Sequence, residues 1–231
     1  MKTILFTVTF FLSLGTLCAQ KADSVYYYSK LNVKNFRQDS FFNQAVDFNN
    51  PDYSRLNAAV FFATNEQRAK RKLKLLDYSQ KLEEMASMHS KEMCEKDFFN
   101  HINPKNKKKK TPADRATLAG ISNPYIAENI ATAFGLQYEP NKNARARGPG
   151  KFSYTADGEL IPPNSYLMVA DMLVKSWMNS EGHRKNILSQ NALQLGCGTC
   201  LFFDKGFNEM PVFKATQNFQ EYERINTAVL E

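Results

Sequence analysis

Histidine is scarce in this sequence: three occur among 231 residues, at His89, His101 and His183. Chemistry that needs an imidazole therefore has few places to reside. Tryptophan occurs once, at Trp177. There is no His-Glu-x-x-His pair and no Gly-x-Ser-x-Gly elbow, which excludes the zincin and α/β-hydrolase arrangements. No internal repeat is present. Beyond the first residues, no apolar run is long enough to cross a bilayer core. The densest basic stretch, Lys105 to Lys110, contains no aromatic residue, so it does not form a single-strand stacking platform.

The residues that are present describe an ordinary globular chain, 43% hydrophobic and 23% charged. A chain of this length buries a sizeable core without help from metals or disulfides. Residues 1–19 read as a secretory signal peptide. Lys2 supplies a positive start, Ile4 to Leu17 are nearly all apolar or small, and Leu17-Cys18-Ala19 offers a cleavage site before Gln20. Lipid attachment at Cys18 is disfavoured, because its pattern wants a small residue where Leu17 stands. The expectation is an exported protein, periplasmic or extracellular, with no transmembrane segment. Export in turn argues against a nucleic-acid partner.

The net charge is +7, with much of the excess in Lys105 to Lys110. Such a run attracts acidic polymers or an anionic membrane, but the simpler reading is a solvated loop. Three cysteines follow the leader. Cys197 and Cys200 have CxxC spacing on a strand, and three residues along a strand span about 10 Å, too far for a direct bridge. Both read first as small buried strand residues, with a bridge from Cys94 to one of them as the alternative.

Local patterns give the element order. Residues 20–55 read as an N-terminal arm, rich in aromatics, that packs on the main domain. Leu56, Ala59, Val60 and Ala63 recur at helical spacing. A second helix follows Ser79, its N-cap, with His89 on the apolar stripe and so a core residue. Thr111-Pro112 starts a short helix that Gly120 ends. Residues 138–163 read as a long loop that shapes or covers a cleft. A helix over Ser165 to Asn179 leads to Trp177, a core anchor. Two strands, Gln194 to Phe203 and Val212 to Phe219, turn at Asp204 to Asn208 and pair as a hairpin. Gly196 and Gly198 predict close backbone packing or a bulge. Helices precede strands, which argues for an α+β fold.

Six short motifs occur in series: Asn65-Glu66-Gln67-Arg68, Phe98-Phe99-Asn100-His101, Ala127-Glu128-Asn129-Ile130-Ala131, Trp177 through Leu188, Leu195-Gly196-Cys197-Gly198 and Thr216-Gln217-Asn218-Phe219. Together they resemble the bacterial branch of the CAP superfamily (cysteine-rich secretory proteins, antigen 5 and pathogenesis-related proteins), over roughly residues 56–220. The resemblance implies a three-layer α-β-α sandwich with a central antiparallel sheet, a CAP domain over 56–221 and a tail over 222–231.

It also implies a cleft lined by two histidines and two acidic residues. His101, Glu128 and His183 match three of these positions. Glu181 is the candidate for the fourth, or else a solvent-facing residue at a helix end. Ser180 and Gln217 complete the candidate cleft. Two neutral imidazoles, at His101 and His183, can hold a divalent metal such as zinc, with solvent, or solvent and a carboxylate, completing the site. Alternatively, the cluster is a polar network in which the glutamate orients a histidine. The reading is a non-catalytic module for a small hydrophobic ligand or cell-envelope component. The alternative is an envelope hydrolase, metal-dependent or built on Ser180, His183 and Glu128.

Overall fold

Side-chain caps fix where most of the helices begin. A computed structural model describes residues 24–122 and 125–225. The expected leader with its cleavage site, and most of the expected tail, lie outside the described residues. Helix α1 covers Ser24–Lys30 and α2 covers Tyr53–Ala69, with Asp52 accepting from the Arg55 amide. Strand β1 is Asp77–Tyr78, and α3, Gln80–Glu95, starts at Ser79 as its sequence indicates. In α4, Pro112–Leu118, Thr111 and Asp114 cap each other reciprocally. Strand β2 follows at Ile126–Phe134, then β3 at Arg145–Gly148, β4 at Lys151–Ser153 and α5 at Tyr166–Asn179, capped by Ser165. The chain closes with α6 at Glu181–Leu188, β5 at Ala192–Asp204 and β6 at Met210–Glu221. Each side-chain cap contributes about 1 kcal/mol.

The main sheet runs β1-β5-β6-β2, leaving β2 at an edge. The expected hairpin forms between β5 and β6, and β2 pairs antiparallel with β6 from Ile126↔Gln220 to Phe134↔Val212. Among the described residues, only the two-residue β1 runs parallel to its neighbour. Helix α3, joined by α4, covers one face; α2, α5 and α6 cover the other. The fold is an α-β-α sandwich. Gly196 and Gly198 lie where a Cβ would overlap the α3 backbone at Leu82–Glu83 and Ala86–Ser87, so the helix sits directly on β5.

The N-terminal arm contributes to the principal core. Tyr27, Phe36, Phe42 and Val46 are buried in the same cluster as Val60, Leu173 and Trp177. Arg37 clamps it down by reaching both Glu66 on α2 and Asp171 on α5. The 138–163 segment is more ordered than its composition predicts. It carries the β3–β4 hairpin and buries Phe152 against Leu136, Ile161 and Met210.

The cysteine reading needs correction. Cys94 and Cys200 are bridged, with Cα atoms 6.3 Å apart, while Cys197 is free and buried. Strand alternation explains the split. Gly196, Gly198 and Cys200 face α3, whose last turn carries Cys94, whereas Cys197 faces the core under α2 and α5.

Candidate functional site

Successive residues of a strand face opposite sides of the sheet, and on the edge strand β2 this sends Glu128 to one helical layer and Asn129 to the other. Glu128 faces α3 and α4. Its carboxylate accepts from His101 Nδ1 at 2.9 Å and from Arg115 Nη2 at 2.9 and 2.8 Å. Asn218, with its amide oriented to suit its neighbours, adds a bond at 3.2 Å. The side chain is 3% exposed. Burial pushes the Glu128 pKa up, but the His101 hydrogen bond and the Arg115 charge outweigh it and hold the acid below its usual range. Glu128 is therefore an ionised, fully engaged carboxylate.

His101 lies on the loop after α3, and its side chain is 44% exposed. With Nδ1–H donated to Glu128, the neutral ring leaves a lone pair on Nε2. Arg115 holds the loop beneath it, donating to the His101 carbonyl at 3.0 Å. His89 on α3 completes this side, 3.9 Å from Glu128 and fully buried. It donates from Nε2 to the Asn100 carbonyl at 3.0 Å. Burial drives its pKa down to about 4, although Glu128 opposes this. His89 is thus both the core residue its stripe predicts and a neutral backing to the cluster.

Asn129 organises the opposite side. Its Nδ2 donates to the His183 carbonyl at 3.1 Å and to Gln217 at 3.2 Å, and its Oδ1 accepts from Asn186 at 2.8 Å. These bonds pin α6 against the edge strand and bring His183 to it. Burial lowers the His183 pKa first, and repulsion from His101 lowers it further.

The other candidates are placed differently. Gln217 is fully buried and donates to Thr64 Oγ1 at 2.6 Å, so it supports Asn129 from behind. Glu181 turns outward: its side chain is 73% exposed and pairs with Lys185 at 2.8 Å, one helical turn on. Ser180 occupies the N-cap position of α6 without a side-chain cap bond. Among the described residues no hydrogen bond joins Ser180 to His183, and Glu128 orients His101 instead. The acid–base–serine order of a triad is not assembled.

Carboxylate bonding to one imidazole nitrogen is the arrangement that orients metal-ligating histidines, so the His101–Glu128 pair fits a metal role. Among the described residues no group of three or more His, Cys, Asp or Glu side chains could hold a metal, which limits such a site to at most two of these side chains, completed by solvent. Arg115 and Asn129 escaped the sequence reading as organising residues. Asn129 stands inside a quoted motif, and strand alternation would have separated its role from that of Glu128.

A family model described as CAP, the cysteine-rich secretory protein family, matches residues 61–219. The chain belongs to the CAP family. Two bacterial relatives, both from Bacillus subtilis, align over 135 residues, 58% of this chain: the uncharacterised protein YkwD at 32% identity and the uncharacterised membrane protein YlbC at 29%. The aligned parts cover only 38% and 29% of those proteins. Among solved structures, an extracellular SCP-domain protein from Bacillus anthracis is 26% identical at a TM-score of 0.49, covering 74% of this chain and 42% of its own. An outer surface protein from Borrelia burgdorferi is 13% identical at a TM-score of 0.44, covering 78% of this chain and 98% of its own. Among the described residues of this CAP protein, no helix is long and apolar enough to cross a membrane.

Proposed function

We propose that this CAP domain is an exported, non-catalytic binding module in which His101 and His183 together hold a divalent transition metal such as zinc, weakly, at the edge of β2. The observation that carries the reading is the 2.9 Å bond from His101 Nδ1 to Glu128. It fixes the ring and leaves Nε2 as the ligating atom. Glu128 is itself held by Arg115, so the orientation is built into the fold. His183, whose pKa is lowered, supplies the second neutral imidazole. When bound, such an ion offers open coordination positions to oxygen atoms of a ligand. The ligand class is a small hydrophobic molecule or cell-envelope component carrying such an oxygen.

Export is supported by the composition of residues 1–19 and by the Cys94–Cys200 bridge, which suits an oxidising compartment. Calorimetric titration of zinc chloride tests the site. Binding is expected in the native chain and is expected to vanish in the His101→Ala/His183→Ala variant. Equal affinity in both removes the metal site, and turnover of an ester, peptide or glycan substrate that disappears with His183 removes the non-catalytic reading.

A further inference from the structure

A run of like charges ordinarily stays mobile and solvated, but the lysine run of this protein is folded into a fixed shape. Buried Glu92 draws in three side chains of the loop: Asn103 at 3.2 Å, Asn106 at 3.3 Å and Lys109 at 2.9 Å. From below, Arg115 Nη1 donates to the carbonyls of Lys109 and Lys110 at 3.1 and 3.3 Å. The Asn103 amide closes the neck of the loop on the Lys110 carbonyl at 2.7 Å. Asn106 caps the short 3-10 turn at Lys107–Lys109. One lysine is thereby turned inward as an anchor. Lys105, Lys107, Lys108 and Lys110 remain exposed, and none makes an ion pair among the described residues. Phe99 and Ile102, on the same loop, are 47% and 41% exposed.

We infer that this loop, Phe99 to Lys110, is a docking surface for an anionic phospholipid membrane. Four ammonium groups held within six residues repel one another. Glu92 is already engaged by Lys109, and Arg115 is itself cationic, so neither neutralises the exposed four. A negatively charged surface relieves that repulsion. Each lysine near such a surface strengthens binding about fivefold. The apolar pair selects a membrane over a soluble polyanion, because side chains of this type gain free energy at the headgroup–acyl boundary and nothing from a phosphate chain in water. Arg115 bonds both the lysine loop and Glu128, so docking lays the His101 edge of β2 against the bilayer. The inference does not depend on metal binding at that edge.

Co-sedimentation with vesicles tests it, comparing phosphatidylcholine alone with phosphatidylcholine containing phosphatidylglycerol, and with soluble polyphosphate as competitor. The native chain is expected to bind only the anionic vesicles and to be released by salt. Replacing Lys105, Lys107, Lys108 and Lys110 with glutamine should weaken partitioning about a hundredfold or more, while Phe99→Ser/Ile102→Ser should weaken it at unchanged charge. Leaving Lys109 and Asn106 intact preserves the loop, and an unchanged melting temperature checks this. Partitioning that ignores both salt and phosphatidylglycerol overturns the inference. So does retention of binding in the four-lysine variant. Polyphosphate binding as tight as vesicle binding, with no effect of Phe99→Ser/Ile102→Ser, overturns it in favour of an acidic polymer.

Discussion

Arg115 and Glu128 form a buried ion pair in which a single guanidinium nitrogen, Nη2, reaches both carboxylate oxygens at 2.9 and 2.8 Å. Their side chains are 0% and 3% exposed. Removing one partner of such a pair strands the other charge in a low-dielectric site, which costs about 3–5 kcal/mol. Urea unfolding of Arg115→Leu should show a loss of this size. The double variant Arg115→Leu/Glu128→Leu should recover part of it, since no charge remains to be stranded. Equal loss in single and double variants would mean that packing, not the ion pair, accounts for the effect.

Stability should also depend on pH through Glu83. This carboxyl sits on α3 beneath the arm and accepts from Tyr28 Oη at 2.5 Å. Burial pushes its pKa up from 4.5 to about 7, despite the Tyr28 bond. Its contribution is therefore fully present below the unfolded value and is lost as pH rises towards 7. Tyr28 and Cys197, its neighbours, are pushed up by burial as well and stay neutral in this window. Glu83→Gln should be more stable than the native chain at pH ~8, with the difference shrinking by pH ~5. Parallel melting curves across this range, with a constant offset, would show that Glu83 does not titrate in the fold.

Features set by near neighbours along the chain are legible in the amino-acid order alone. Ser79, Thr111-Pro112 and Ser165 announce their helices because a cap bonds an amide only two or three residues away. The β5–β6 hairpin is announced by its turn. The pairing of His101 with Glu128 is legible only through the motif series, since it joins the loop after α3 to a strand 27 residues further along the chain. Arg115 gives no signal. Its role lies in bonds to the His101 carbonyl, the lysine loop and Glu128, and a surface-type residue on a short helix does not advertise a buried position. Glu181, open in the sequence between a cleft carboxylate and a solvent-facing residue at a helix end, lies exposed at the start of α6 and pairs with Lys185 one turn on. The parity of Cys197 and Cys200 on β5 separates their roles only when α3 is placed on the glycine face, and that placement is a tertiary contact.

The Cys94–Cys200 bridge closes a loop of 106 residues, which in the chain-entropy picture is worth about 4 to 5 kcal/mol at most. Cys94→Ser/Cys200→Ser should unfold at correspondingly lower urea concentration with little change in secondary structure. Cys197 should stay inert to a thiol reagent until the chain unfolds, because it is buried and its thiol pKa is pushed well up. Rapid labelling of Cys197 in the native protein would contradict its placement in the core.

The central claim, that His101 and His183 share one binding position around the edge of β2, is tested most directly by following imidazole nitrogen resonances during a zinc titration. Three histidines make the spectrum assignable. The resonances of His101 and His183 should move together at the same metal ratio, with His89 unmoved behind Glu128. Movement of one ring without the other, or of His89 in place of either, would contradict it.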